Sequence, residues 1–408
     1  MRKNLFIVLA ALVVASMLLS ACGAPATPET VTVVQTQVVT QVVPVEITST
    51  PGPEMPTAMA PGSVQITGSG ATFPLPLYTD WTYAYQYVDP AVAINYQGIG
   101  SGGGKKAIVD GTVDFAGSDS LLADADYTAG KDLQMYPMVA SAVVVIYNIA
   151  FKPMPTPVAP ATAAPLPKLI LDRQTLVDIY NAKIKKWNDP AIVALNPGLK
   201  DYLPDAQITV GHRSDGSGTT EIFTKSLTSF SKDWTAGGAQ SVEWPVDKAG
   251  NGVGGKGNAG VAAVVVGTPN SIGYVEISYA VSNSLSFADL INKAGKKVTA
   301  NAASIASDMT DGANAFTDKL TATIVDGAGD GSWPITGYTY LILHTTSMTD
   351  CVKAAKLLQY ITWSLTDATA ATRAGKLGYA VLPDAIRVKV LAKLGEVTCN
   401  GAPVLTKP

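Results

Sequence analysis

The sequence predicts an α/β fold. Strand-like and helix-like segments alternate along most of the 408 residues, and this alternation is typical of a sheet with helices packed on its faces. Three junctions between a strand-like and a helix-like segment are rich in Gly, Ser and Thr, so the backbone can turn tightly there. The length allows two domains of ordinary size and a large buried core.

The globular part is expected to begin near residue 63, and its elements follow from hydrophobic periodicity. Short runs of β-branched and aromatic residues indicate strands, and longer amphipathic segments indicate helices. The strand candidates are 64–67, 92–96, 113–116, 139–147, 208–210, 272–275 and 338–343, and the helix candidates are 75–87, 174–184, 219–230, 303–324 and 349–365.

The N-terminus has the pattern of a lipoprotein export leader in residues 1–21. Arg2 and Lys3 precede an apolar run over 5–19, which is short for a lasting membrane span. The following Leu-Ser-Ala-Cys sequence resembles a bacterial lipobox, which implies that Cys22 becomes the lipid-modified first residue of the mature protein. We expect this lipid to hold the protein on the outer side of a membrane.

Two proline-rich segments are expected to lie outside the core. Residues 22–62 contain mainly Pro, Thr, Val and Ala, and they predict a tether with an end-to-end distance of roughly 35 Å. Residues 153–167 are also rich in proline, which predicts a surface insertion or a mobile loop.

The charge composition argues against a nucleic-acid-binding protein. Charged residues make up 15% of the chain, against about 25% in ordinary soluble proteins. The formal net charge is −3, and loss of Arg2 and Lys3 with the leader would leave about −5. Nucleic-acid binding usually requires a basic surface. A small anion would have to be bound by local dipoles rather than by a broad positive field.

Residues 213–219, with the sequence Arg-Ser-Asp-Gly-Ser-Gly-Thr, predict an anion-binding turn. They lie between a strand-like run at 207–210 and a helix-like run at 220–227. Backbone N–H groups at a helix N-terminus attract anions, and Arg213 adds a permanently charged, forked donor. The alternative is an ordinary helix cap, because Ser and Asp are common in that role.

Two further turns, 67–74 and 98–106, also follow a strand-like segment and precede a helix-like one. Each alone could be only a tight connection, but together they are expected to converge, because ligands bind at the carboxyl ends of strands in α/β folds. None of the three turns has the spacing of a P-loop or of a dinucleotide-binding motif in its full setting. The sequence therefore predicts a site for a small anion rather than for a nucleotide.

Asp119 is an acidic residue just after the strand-like segment 113–116. A carboxylate beside a bound anion is reasonable if the ligand carries a proton, because a hydrogenphosphate O–H can donate to it. Fully ionised sulfate would instead present lone pairs to the carboxylate. The alternative is an aspartate that caps the next helix.

Eight motifs follow one another along the chain, at residues 67–74, 96–103, 113–119, 183–190, 213–219, 254–258, 272–276 and 333–335. In sequence and order they resemble those of the phosphate-binding lipoproteins and periplasmic proteins of phosphate ABC transporters, over about residues 64–390. The resemblance implies a two-lobed, type II periplasmic-binding-protein-like fold, with the ligand in the cleft between the lobes and two chain crossings as the hinge. Lobe I would comprise 63–140 and 335–408, and lobe II 141–334.

The resemblance also implies a set of phosphate-binding residues. Asp119 would accept the proton of the ligand, and Arg213 would pair with phosphate oxygens while Asp215 orients it. The other positions would donate from backbone N–H groups and hydroxyls. The full phosphate-binding set is Thr72, Phe73, Ser101, Asp119, Arg213, Ser217, Gly218 and Thr219.

The function implied is a non-catalytic receptor that captures inorganic phosphate and delivers it to the permease subunits of an importer driven by an ATPase subunit. No cofactor or metal is expected, and a monomer is expected by resemblance. Two alternatives stay open: a phosphatase-like enzyme that uses the same site, and a binding protein for another tetrahedral oxyanion. The enzyme alternative is disfavoured because the chain has only two histidines and no nucleophile with an obvious base.

Two cysteines besides Cys22 are present, Cys351 and Cys399. In an oxidising compartment they are candidates for a disulfide that ties the C-terminal tail to a preceding helix. Two separate buried thiols are the alternative, since the sequence does not give the distance between them.

Overall fold

The computed structural model describes residues 64–153 and 166–405. No helix within these two ranges is long and apolar enough to cross a membrane. Four predicted features lie wholly or mostly outside the described residues: the leader 1–21, the lipidation site Cys22, the tether 22–62 and the insertion 153–167.

The described strands form three sheets. They are β1 (Val64–Gly70), β2 (Val92–Gly98), β3 (Phe115–Ser118), β4 (Leu133–Asn148), β5 (Ile170–Asp172), β6 (Thr209–Arg213), β7 (Gly252–Gly255), β8 (Ser271–Glu276), β9 (Asp289–Ile291), β10 (Lys297–Val298), β11 (Thr336–His344), β12 (Ala380–Val381), β13 (Thr398–Cys399) and β14 (Ala402–Pro403). The large sheet has the order β2-β1-β3-β11-β4-β8-β6-β7, with β12 paired to β4. The small sheets are β10-β9-β5 and β13-β14.

Helices connect these strands, and many begin at a side chain that caps the first turn. Asp172, for example, accepts a hydrogen bond from the Thr175 N–H at 2.7 Å, which satisfies a donor that the helix itself cannot. The helices are α1 (Leu75–Tyr85), α2 (Ser101–Val109), α3 (Asp124–Gly130), α4 (Arg173–Tyr180), α5 (Pro190–Leu195), α6 (Gly218–Phe230), α7 (Pro245–Lys248), α8 (Gly257–Gly267), α9 (Ile277–Ser282), α10 (Ala302–Asp311), α11 (Cys351–Thr366), α12 (Ala368–Lys376) and α13 (Asp384–Leu394).

Strand β4 joins the two halves of the large sheet. Its first part pairs with β11 and its last part, from Val143 to Asn148, pairs with β8. It is 16 residues long and almost entirely buried. An apolar strand covered on both faces contributes strongly to the core, at about 25 cal/mol for each Å² of apolar surface removed from water.

Two groups of parallel strands lie on either side of β4 and β11. Strands β1, β2 and β3 form one group, and β6, β7 and β8 form the other. Because β11 and β4 pair antiparallel with each other and with both groups, the two groups run in opposite directions. Their carboxyl ends therefore approach each other near the middle of β4.

The predicted α/β class and most of the predicted elements agree with the structure, but two predicted helices are too long. The helix predicted at 174–184 ends at Tyr180, and the helix predicted at 303–324 ends at Asp311. After Asp311 the chain leaves the helix, and both the N–H and the carbonyl of Ala322 bond to the Tyr340 hydroxyl at 3.1 Å. Contacts with β11 thus override the local helical pattern.

Cys351, at the start of α11, and Cys399, in β13, are joined by a disulfide. The bridge closes a segment with a sequence separation of 48, and the chain-entropy relation gives a stabilisation of about 4 kcal/mol for a loop of that length.

We expect reduction of the disulfide to lower the thermal unfolding temperature measured by circular dichroism. A Cys351→Ser, Cys399→Ser variant serves as the control and should not respond to reductant. An unchanged unfolding temperature of the reduced parent protein would contradict this prediction.

Candidate anion-binding site

The residues predicted from the sequence lie together where the two parallel groups end. Thr72 and Phe73 follow β1, Ser101 follows β2, and Asp119 follows β3. Arg213 is the last residue of β6. All five are buried, with at most 7% of their surface exposed. The site is thus built from segments that are distant in sequence, as the rule for strand ends in α/β folds predicts.

Four helices begin at this cluster: α1, α2, α6 and α8. Their first turns contact one another across the site. The Gly218 N–H of α6 donates to the Ser101 hydroxyl of α2 at 3.1 Å, and the Asn258 N–H of α8 donates to Thr72 Oγ1 at 3.2 Å. Each helix N-terminus carries a partial positive charge, so together they favour an anion.

Four backbone N–H groups at the site have no acceptor among the residues that the structure describes. They belong to Thr72, Phe73, Ser101 and Thr219. Buried N–H groups are almost always paired in folded proteins, because leaving one unpaired costs about 1–3 kcal/mol. Four such donors in one buried cluster are suited to an oxygen-rich ligand.

Ser217 and Gly218, predicted to close the site with N–H and hydroxyl groups, have their N–H groups paired with protein acceptors in this structure. The Ser217 N–H donates to the Gln240 carbonyl at 3.0 Å, and its hydroxyl accepts from the Thr220 N–H as the cap of α6. The Gly218 N–H is bonded to Ser101, as described above. Within this structure these two residues support the turn, since their N–H groups are already paired.

The Arg213 guanidinium forms a forked pair with Asp215. Nε donates to Oδ1 at 2.7 Å and Nη2 donates to Oδ2 at 2.6 Å. Burial opposes ionisation of Asp215, but hydrogen bonds and charge from Arg213 and the Gly257 N–H outweigh it, and the pKa of the carboxyl lies below its usual value. Asp215 fixes the direction of the guanidinium and offsets part of its charge.

Asp119 lies beside Ser101 and Gly218 and is held by two hydroxyls. Thr339 Oγ1 of β11 donates to Oδ1 at 2.8 Å, and Ser101 Oγ donates to Oδ2 at 3.4 Å. Burial raises the pKa of Asp119 to about 7, against the opposing effects of Thr339 and of the Arg213 charge. The carboxyl can therefore gain or lose a proton near neutral pH.

Two tyrosines hold the turn after β1 through its carbonyl groups. Tyr279 donates from its hydroxyl to the Thr72 carbonyl at 2.6 Å, and Tyr379 donates to the Phe73 carbonyl at 2.7 Å. The Thr72 carbonyl shares its planar peptide with the Phe73 N–H, so the contact with Tyr279 orients that donor. This explains how a glycine-rich turn becomes a rigid group of donors.

Sequence reasoning did not place Thr339 or Asn258 in the site. Asn258 donates from Nδ2 to Thr72 Oγ1 at 2.9 Å and to Thr219 Oγ1 at 3.2 Å. The glycine-rich run at 254–258 before α8 was a signal that could have identified Asn258, whereas Thr339 lies in an ordinary apolar strand. In the described ranges no group of three or more His, Cys, Asp or Glu could hold a metal ion.

The chain is similar in sequence and in fold to known proteins. The family model described as the PBP superfamily domain matches residues 56–368. The phosphate-binding protein PstS of Pasteurella multocida (strain Pm70) is 38% identical over 333 residues, which cover 80% of this chain and 89% of that protein. The protein of the same name from Xylella fastidiosa (strain Temecula1) is 38% identical over 330 residues, covering 80% and 84%.

The chain belongs to the PstS family within the PBP superfamily. The family resemblance read from the eight motifs is therefore confirmed. Among solved structures, a human phosphate binding apolipoprotein aligns with a TM-score of 0.64 at 20% identity, covering 83% of this chain and 99% of that chain. This likeness concerns the fold, and with the family model it confirms the predicted periplasmic-binding-protein-like architecture.

Proposed function

We propose that this PstS-family chain is a non-catalytic receptor that binds inorganic phosphate outside the cytoplasm and delivers it to an ATP-driven importer. The observation that carries the proposal is the buried cluster in which four unpaired N–H donors, Arg213 and the carboxyl of Asp119 converge. The donors and the guanidinium suit an oxyanion. The names of the curated relatives agree with phosphate as the ligand.

Asp119 is the group that favours phosphate over other tetrahedral oxyanions. At neutral pH phosphate retains at least one proton, which can lie between a phosphate oxygen and Asp119. A fully ionised anion offers no such proton and would leave the ionised carboxylate facing its lone pairs. Sites that depend on one hydrogen of the ligand discriminate by roughly 10⁴- to 10⁵-fold.

The proposed mechanism is closure of two lobes around the ion. Lobe I would comprise 63–140 and 335–408, and lobe II 141–334. Thr72, Ser101 and Asp119 come from the first of these and Arg213 and Thr219 from the second, so a bound phosphate would favour the closed form. The chain would pass between lobes within β4 and near the start of β11.

The lipid on Cys22 and the tether 22–62 would hold this receptor at the membrane while the lobes reach the permease subunits. In this proposal the ATPase subunit acts through the permease, and the receptor itself is a monomer that needs no cofactor. The open and closed forms differ in the surface they present, which is the signal a permease could read.

The first test is a calorimetric titration of phosphate into the purified full-length chain in detergent, after bound ligand is removed by unfolding and refolding. We expect tight binding of one phosphate per chain that excess sulfate does not displace. No heat with phosphate, or equal binding of sulfate, would refute the assignment of the ligand.

Incubation with a phosphate ester, followed by an assay for released phosphate, tests the enzyme alternative.

Gly218 offers a test of closure that leaves the charged groups intact. A Cβ added there would lie 2.5 Å from Asp119 Cβ and 2.6 Å from Ser101 Oγ, so Gly218→Ala should hinder the approach of the two lobes. Overpacking of this kind costs about 1–3 kcal/mol, and we expect the Kd for phosphate to rise roughly 10- to 100-fold.

The Gly218→Ala substitution should leave the unfolding temperature of the ligand-free protein unchanged or slightly higher, because alanine is the better helix former. Gly375→Ala in α12 is the matched control, since nothing lies within 4 Å of its added Cβ. If the two variants bind phosphate equally well, the close approach at Gly218 does not control closure.

A further inference from the structure

Asn258 lies at the start of α8 and is fully buried between the hydroxyls of Thr72 and Thr219. Its position depends on Gly257, whose φ of +70° is unfavourable for other residues and whose N–H donates to Asp215 Oδ1 at 3.1 Å. The amide is therefore placed beside the Arg213–Asp215 pair.

The orientation of the Asn258 amide is determined by its neighbours. Its Oδ1 lies 3.0 Å from the backbone nitrogen of Glu276, and a backbone N–H can only donate. Oδ1 must therefore be the acceptor there, which directs the Nδ2 hydrogens toward Thr72 and Thr219. The Glu276 peptide is itself held in β8, where Glu276 pairs with Val143 of β4.

The two threonine hydroxyls then have both of their acceptor positions filled. Thr72 Oγ1 accepts from Asn258 N at 3.2 Å and from Asn258 Nδ2 at 2.9 Å. Thr219 Oγ1 accepts from Asn258 Nδ2 at 3.2 Å and from Arg213 Nη1 at 3.4 Å. A hydroxyl has two lone pairs and one hydrogen, so each hydroxyl is left with its hydrogen to donate.

Neither hydrogen is donated to another protein group in the part of the chain that the structure describes. One hydroxyl comes from predicted lobe I and the other from predicted lobe II, and a single amide fixes both. The unpaired N–H groups of Thr72 and Thr219 lie on the same two residues.

We propose that Asn258 is a positioning residue for phosphate recognition, which makes the Thr72 and Thr219 hydroxyls obligatory donors to the oxyanion. The inference rests on the proposed function and deepens it. Phosphate oxygens that meet these hydroxyls must act as acceptors, and a charged, unprotonated oxygen is the stronger acceptor. The one protonated oxygen of the ligand is thereby directed to Asp119, so Asn258 and Asp119 together set the orientation of the ion.

The test is a double-mutant cycle on the Kd for phosphate, measured by calorimetry at pH 8 with the full-length chain. The variants are Asn258→Leu, Thr72→Val and their combination, with Thr219→Val treated in the same way. We expect Asn258→Leu and Thr72→Val each to weaken binding about 10-fold or more, since one lost hydrogen bond to a charged group is worth about 1.5–3 kcal/mol. The combination should fall short of the product of the two effects by at least about 5-fold.

A merely structural role of Asn258 predicts a different result. Lost packing in Asn258→Leu would lower the unfolding temperature. It would also weaken phosphate binding by the same factor whether or not Thr72 is replaced, so the effects of the two substitutions on Kd would multiply. Multiplicative effects in both the Thr72 and the Thr219 cycles would overturn the proposal. Asn251→Leu is the matched control: Asn251 is also buried and binds the Ile208 carbonyl through Nδ2 at 2.9 Å, and it should show no coupling to Thr72→Val.

Asn258→Asp keeps the inference testable if the leucine variant does not fold. A carboxylate of the same shape can only accept, so it should turn both hydroxyl hydrogens away from the ligand and weaken binding about 100-fold or more. Thr72→Val should then cost little further affinity in this background, and a full additional loss would again overturn the proposal. If the unmodified chain binds no phosphate at all, it is the proposed function that fails.

Discussion

Replacing Arg213 with alanine is expected to raise the Kd for phosphate by about 10³-fold. The guanidinium is buried and pairs with Asp215, whose ionised form it stabilises. Its removal takes away a charged donor and leaves Asp215 as an unpaired, half-buried negative charge beside the incoming anion. Truncation of one member of such a pair costs about 2–5 kcal/mol, and each 1.4 kcal/mol corresponds to a factor of ten.

Two further variants separate the charge of Arg213 from its geometry. Arg213→Lys keeps the charge but loses the forked contact with Asp215, and we expect an intermediate affinity. Arg387→Ala is the control, because Arg387 pairs with the exposed carboxylate of Asp384. This variant should bind phosphate normally. All Kd values come from calorimetry. If the Kd of Arg213→Ala for phosphate is within 10-fold of the Kd of the unmodified chain, Arg213 does not contribute to binding as predicted.

Replacing Asp119 with asparagine is expected to reduce the discrimination between phosphate and sulfate by at least about 100-fold. The asparagine amide can donate a hydrogen bond to an unprotonated sulfate oxygen. Sulfate is then no longer repelled by a carboxylate at this position. Phosphate should still bind, because Arg213 and the backbone donors remain. The measurement is competition of sulfate against phosphate in calorimetry. Asp110→Asn is the control, since Asp110 forms an exposed pair with Lys106.

The same selectivity should depend on pH in the unmodified chain. Burial raises the pKa of Asp119 to about 7, so the carboxyl is neutral below that pH and can donate to sulfate. Above it the carboxylate can only accept, and sulfate should be excluded. Sulfate competition is therefore expected to grow as the pH falls from 8 to 5 and to stay constant in Asp119→Asn. A pH-independent preference in both proteins would contradict this role of Asp119.

The raised pKa also has a consequence for the proposed closure of the lobes. The carboxyl is harder to ionise when buried than when exposed to water, so its contribution is fully present below the ordinary aspartate pKa and is lost as the pH rises through about 7. Without ligand, closure should therefore become less favourable over this interval. A bound phosphate proton offsets the loss by pairing with the carboxylate.

Much of the site was predictable because its signals are local. Arg213 and the small residues after it, the turn at 67–74 and the turn before Ser101 each combine a strand pattern, a tight turn and a helix start within a few residues. Backbone donors at helix N-termini follow directly from such a pattern. The contact of the Ser217 N–H with the Gln240 carbonyl could not be predicted, because no rule of local sequence gives that partner.

The α/β class, the family, the turns that supply donors and the two charged residues Arg213 and Asp119 could be inferred from the order of residues along the chain. The hydroxyls that hold these groups, and the direction in which they donate, depend on how the chain folds. Asn258 and Thr72 are 186 residues apart, and Thr339 and Asp119 are 220 apart. The first contact forms only when the two groups of parallel strands point their carboxyl ends at each other, and the second forms because β11 pairs with β3. Propensity and periodicity describe neighbours along the chain, whereas hydrogen-bond polarity and the pKa of Asp119 depend on neighbours in space.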